Sequence, residues 1–164
     1  MTTIIRGSDV GVSANITSPN YLRVTCNFAA AGPWEDVASH EVFTVTGLVR
    51  VRIWIECTNT LTDAADGATI QFGYEGATDA WIGATNCARA GAGLLATGCL
   101  WYDTSPLTTP DATSTVVFDQ VVNGLDIGHE VAGAALTGGT LVYHCVWEPL
   151  NLRGSVSAGA GGSL

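Results

Sequence analysis

Between His40 and Thr58 the chain reads H-E-V-F-T-V-T-G-L-V-R-V-R-I-W-I-E-C-T, and its apolar positions recur at every second residue. Successive side chains of a strand point to opposite faces, so Phe43, Val45, Val49, Val51, Ile53, Ile55 and Cys57 share one wholly apolar face. The other face carries Val42, Thr44, Thr46, Leu48, Arg50, Arg52, Trp54 and Glu56, a mixture of polar and amphipathic groups. Helical spacing would scatter Arg50, Arg52 and Glu56 among the apolar positions, and the valines and isoleucines are stiff at χ1 and suit a sheet. The pattern predicts one long β-strand, or a pair of strands hinged at Gly47, with one face in a core.

The same alternation marks shorter strands elsewhere. Leu22, Val24, Cys26 and Phe28 alternate with Tyr21, Arg23, Thr25 and Asn27, and Ala68, Ile70, Phe72 and Tyr74 alternate with Thr69, Gln71 and Gly73. Cys99 to Asp103 reads as a further strand, and Val116 to Val122 as another. Asn123-Gly124 then precedes Leu125 to Val131, and Asn-Gly between two such runs predicts a hairpin with a type I′ turn. Gly138-Gly139 leads into Thr140 to Glu148, which Pro149 ends. The stretch Thr78-Asp79-Ala80-Trp81-Ile82 predicts a helical turn, or a loop that tucks Trp81 against the sheet.

Seven or eight short strands, regular turn signals and no long amphipathic helix predict an all-β protein, an antiparallel β-sandwich of jelly-roll or Greek-key type. Residues 1–20 read as an extended N-terminal arm, residues 21–150 as the sandwich, and residues 151–164, rich in Gly and Ser, as a flexible tail.

Charge narrows the range of partners. Fifteen acids face six arginines across 164 residues, no lysine occurs, and the net charge is −9. Such a surface repels phosphates, so neither nucleic acid nor an anionic membrane is an expected partner. Charged residues make up only 13% of the chain, below the usual quarter, which suits packing against other subunits. Cys26, Cys57, Cys87, Cys99 and Cys145 are odd in number and lack C-x-x-C spacing, so they read as small buried hydrophobes and not as a zinc or redox site. The sequence shows no signal-peptide pattern and no apolar run of membrane-spanning length. Folding in a reducing cytoplasm with free thiols is expected, and the Asn15-Ile16-Thr17 sequon is then incidental.

Candidate chemistry is sparse. There is no G-x-S-x-G elbow, and His40, His129 and His144 lie in or beside strand patterns, where structural roles are expected. Gly91, Gly93 and Gly98 fit no phosphate-loop fingerprint. Asp63 with Asp66, or Asp103 with Asp111, match no EF-hand spacing and read as turn formers. No cofactor or metal is expected, and no pair of carboxylates is singled out for glycoside hydrolysis. The tryptophans Trp34, Trp54, Trp81, Trp101 and Trp147 are the stronger signal. Trp54 lies beside Arg50 and Arg52, where an aromatic ring and guanidinium groups can anchor a partner, so Arg50, Arg52 and Trp54 form the candidate interface. A sugar-stacking platform at Trp54, Trp81 or Trp101 is the alternative.

Taken together, E-V-F-T-V-T-G-L-V-R-V-R-I at Glu41 to Ile53, A-T-I-Q-F-G-Y-E-G-A-T at Ala68 to Thr78, L-W-Y-D-T-S-P at Leu100 to Pro106, V-N-G-L-D-I, and L-V-Y-H-C-V-W-E-P-L at Leu141 to Leu150 resemble small structural proteins of tailed-bacteriophage virions. The resemblance implies a non-enzymatic virion component without cofactor. It points to a capsid decoration or cement protein on the outer shell, a homotrimer whose partners are the major capsid protein or other virion subunits. A head spike, fibre base or tail component would look similar. The resemblance carries no catalytic residues.

Overall fold

The computed structural model describes residues 20–29, 32–63, 67–87, 96–101 and 118–164; the arm expected over residues 1–20 lies outside them except for Asn20. Among these residues ten strands follow in order: β1 (Asn20–Asn27), β2 (Ser39–Thr46), β3 (Leu48–Asp63), β4 (Thr69–Tyr74), β5 (Ala77–Asn86), β6 (Leu100–Trp101), β7 (Phe118–Asn123), β8 (Ile127–Ala132), β9 (Leu136–Pro149) and β10 (Ser155–Ala158). They form two five-stranded sheets, and every pairing is antiparallel. The first runs β1-β9-β3, with β7 and β6 sharing the far edge of β3, where they pair with Leu48–Ile53 and Ile55–Glu56. The second runs β10-β2-β8-β4-β5. With β6 and β10 set aside, β1-β9-β3-β7 over β2-β8-β4-β5 is the strand order of an eight-stranded jelly roll, so the sandwich expected from the strand pattern is the fold.

The organising stretch is a pair of strands, not one. Gly47, at φ 66°, passes the chain from β2 in the second sheet to β3 in the first. An L-side chain is strained there, and an added Cβ would also lie 2.9 Å from the Arg153 backbone. Parity survives the crossing: Phe43, Val45, Val49, Val51, Ile53, Ile55 and Cys57 are all buried between the sheets. Val42, expected on the mixed face, is buried as well, because the β2–β8 register shifts between Glu41 and Phe43 and both Val42 and Phe43 lack solvent exposure.

Three further expectations are corrected. Asn123-Gly124 does turn the chain, with Gly124 at φ 65°, but it makes no hairpin: β7 pairs with β3 and β8 with β2 and β4, so the turn crosses between sheets. Ala77–Asn86, expected as a helical turn or loop, is strand β5, and it does bury Trp81, against Phe72 and Tyr74. Residues 151–164, expected as a flexible tail, supply β10, which pairs with β2 through backbone groups that composition does not report.

Among the described residues Glu35, His40 and His129 are the buried polar or charged side chains, and the two histidines face each other in the core. His40 and His129 are register partners across β2–β8, both buried, with ring centroids 5.3 Å apart. His40 Nε2 donates to the Asp36 carbonyl at 3.0 Å, and the Tyr143 hydroxyl meets His129 Nδ1 at 2.9 Å. Trp34 and Phe28 pack on the imidazole of His129. Burial, helped by His40, lowers the pKa of His129 to about 3, against a weaker opposing effect of the Trp34 backbone, so the ring is neutral.

Candidate interaction surface

The outward face of the first sheet is set by the same parity that fills the core. On β3 it presents Arg50, Arg52, Trp54 and Glu56, on β9 His144, Val146 and Glu148, on β1 Tyr21 and Arg23, and on β7 Asp119 and Val121. Arg50, Arg52 and Trp54 therefore do share one face, on the central strand of their sheet.

The arginines are clasped by a residue 67 to 69 positions away in sequence. Arg50 binds Asp119 bidentately, Nε to Oδ1 at 2.8 Å and Nη2 to Oδ2 at 2.7 Å, and Arg52 Nε reaches Oδ2 at 3.2 Å. Asp119 stands opposite Arg52 in the ladder and diagonal to Arg50, within reach of both. The hydrogen bond from Arg50 holds the Asp119 carboxyl below the usual carboxylate range and raises the Arg50 pKa in turn. These side chains are 37–45% exposed, so solvent screens the pair. The main effect of the clasp is to fix the orientation of the two guanidinium groups.

Beside the clasp stands an aromatic cluster. Trp54 and His144 are register partners whose rings stack at 4.8 Å and 2°, and Tyr21 joins them at 6.4 Å from Trp54 and 6.1 Å from His144. The Tyr21 hydroxyl and His144 Nδ1 share a hydrogen bond at 2.8 Å, and His144 Nε2 faces Glu56 Oε2 at 3.6 Å. Burial lowers the His144 pKa, and the Glu56 carboxylate opposes that shift. Tyr21 is 56% exposed and forms the open side of the cluster.

A Tyr-His-Glu row resembles a proton relay, but this one lies on an open sheet. One recess among the described residues, of about 170 Å³ at the β7 edge, is lined by Tyr74, Trp81, Gln120, Val121, Val122 and Leu125, none of which pairs a nucleophile with a base. Among the described residues no group of three or more His, Cys, Asp or Glu is placed to hold a metal. Asp63 uses Oδ2 to accept from the amides of Gly67 and Ala68, a turn-forming role, while Asp66, Asp103 and Asp111 lie outside the described residues. Of the other tryptophans, Trp34, Trp81 and Trp101 are buried and Trp147 is packed against the core, so of the three proposed platforms only Trp54 faces outward.

The sequence did not single out Asp119, Tyr21, His144 or Glu56. Each sits on the polar side of an alternating run, which is a usable signal, but which strands lie side by side is not written in any one of them. Comparison with family models, curated proteins and solved structures finds no match.

Proposed function

We propose that this chain is a non-enzymatic virion structural protein, a capsid decoration or cement subunit that docks through the outward face of its first sheet. The observation carrying this reading is the composition of that face. Two oriented arginines, a tryptophan and a tyrosine are the residue types that dominate protein interfaces. The face is also close to electrically neutral on an otherwise acidic molecule. Arg23, Arg50 and Arg52 meet Glu56, Asp119 and Glu148 there, whereas Arg153 is the sole described cation elsewhere. Subunits that are each strongly acidic approach one another with least repulsion through such a face. The jelly roll, which recurs in viral capsid domains, adds support by analogy of fold.

In this reading trimers sit on the shell, with the major capsid protein as partner, and rupture must break many such contacts together. Particles stripped of the protein are expected to fail at lower temperature and lower chelator concentration than intact ones, and Trp54→Ala or Arg52→Glu is expected to prevent rebinding. Equal resistance of stripped and intact particles would refute the cement role. Density for the chain on the tail would favour a tail or spike component.

A second reading has its own observation. Lectin domains also use this fold, and Trp54 with Tyr21 forms an outward aromatic group flanked by charged hydrogen-bonding side chains. Glycan-array binding by the purified protein, lost in Trp54→Ala, would favour host-glycan recognition over a scaffold.

A further inference from the structure

The segment after β9 returns along β2 as a strap. β10 pairs with Phe43–Thr46, and beyond it the amides of Gly159 and Gly161 donate to the carbonyls of Val42 and Glu41 at 2.8 and 3.2 Å. Glu41 N donates to the Gly162 carbonyl at 2.8 Å, and Ser39 Oγ to the Leu164 carbonyl at 3.4 Å. Residues 155–164 thus cover the free edge of β2 along its length. Their hold is almost entirely backbone pairing, since Val156 is the single buried side chain among these ten residues. Gly159 fits because an added Cβ would lie 2.5 Å from the Glu41 carbonyl oxygen.

Ordering ten residues costs conformational entropy that one valine and a row of backbone bonds must offset. The strap therefore belongs to the least firmly held parts of the fold. The hinge before it, Asn151–Gly154, has no buried side chain and is closed by Gly154 N to the Asn151 carbonyl at 3.1 Å and Arg153 N to Asn151 Oδ1 at 3.0 Å. When the strap lifts, Ser39–Thr46 becomes an open strand edge, which accepts another strand.

We propose that the β2 edge is a strand-acceptor site whose partner is a second copy of this chain, the two copies exchanging residues 155–164. The exchanged strap makes the same hydrogen bonds and buries the same valine as the closed one. The balance is therefore set by protein concentration against the effective concentration of the tethered strap, on the order of millimolar for a short linker. About a tenth of straps exchange at about 0.1 mM, and exchange dominates where copies are packed more densely.

The test uses full-length protein. Thr46 and Ser155 are exposed register partners, and the five native cysteines are buried. Thr46→Cys and Ser155→Cys single variants are mixed at about 0.1 and 1 mM with oxidised glutathione, which takes up the two electrons and two protons released as the intermolecular disulfide forms. The expected result is a covalent heterodimer joining these two positions, its yield rising several-fold between the two concentrations. Adding Val156→Asp to the Ser155→Cys chain should cut that yield at least tenfold. A yield no greater than that of Thr58→Cys, exposed on the opposite sheet, with Ser155→Cys overturns the proposal, as does a yield indifferent to Val156→Asp. The double variant in one chain should close on itself at low concentration; failure to do so overturns the strap's placement and the proposal with it.

Discussion

Acid should loosen this fold above all through His129, with His144, whose pKa burial also lowers, adding in the same direction. The His129 imidazole is fully buried and its pKa is lowered from 6.5 to about 3. In the unfolded chain the ring takes up a proton as pH falls below about 6.5, whereas the folded chain resists until about 3. Protons therefore favour unfolding throughout that window, and stability present at neutral pH is lost progressively as pH falls. At about 1.4 kcal/mol per pH unit, the loss between pH 7 and pH 5 amounts to about 2 kcal/mol. The Asp119 carboxyl is held below its ordinary value and is ionised in both states across this range, so it cancels. Urea unfolding followed by tryptophan fluorescence at the two pH values measures the difference. His129→Gln can keep a hydrogen bond to the Tyr143 hydroxyl but does not titrate. Whatever its absolute stability, its loss between pH 7 and pH 5 should be about 2 kcal/mol smaller than that of the parent. Equal losses in the two proteins would refute the reasoning. An imidazole resonance of His129 in the folded parent that reports the charged form at pH 5 would refute it independently.

Two glycines separate strain from steric exclusion. Gly124 has φ 65° and no atom within 4 Å of an added Cβ, so Gly124→Ala should cost only about 1–2 kcal/mol in urea unfolding. At Gly128 a Cβ would lie 1.9 Å from the His40 carbonyl oxygen, so Gly128→Ala should force β2 off β8 and cost several-fold more. Asp119→Asn should leave the fold intact with a small stability loss that high salt abolishes, because the clasp is exposed and screened; a loss insensitive to salt would contradict this. Burial pushes Cys57, Cys87 and Cys145 up to about 12 and Cys26 higher still, and Cys99 is shielded by its own burial, so a disulfide reagent should label none of the five thiols in minutes in the folded protein and all five in denaturant.

The candidate surface was half legible. Arg50, Arg52 and Trp54 announce themselves as polar or amphipathic positions spaced by two within an apolar run, and two residues apart on a strand means one face. What they touch was not legible, because Asp119 and His144 arrive from β7 and β9 through pairings formed between segments distant in sequence. The strap was missed for a related reason. Ser, Ala and Gly contribute little through their side chains, so the composition of residues 155–164 reads as flexible while their backbone groups complete the edge of β2.

By itself the sequence determined the period-two alternation, and with it the strands other than β5 and β10, most of their inward faces and the sandwich class. These depend only on which way neighbouring side chains point. Tertiary structure alone decided which sheet each strand joins. At Asn123-Gly124 the local signal for positive φ is correct, yet the two flanking strands find partners in different sheets, because a turn fixes the direction of the chain and not the neighbour it meets. At Gly47 the same freedom carries the apolar face of His40 to Thr58 from one sheet to the other without changing its parity. One stretch therefore contributes to both walls of the core, and beyond Gly47 it turns Arg50, Arg52 and Trp54 outward.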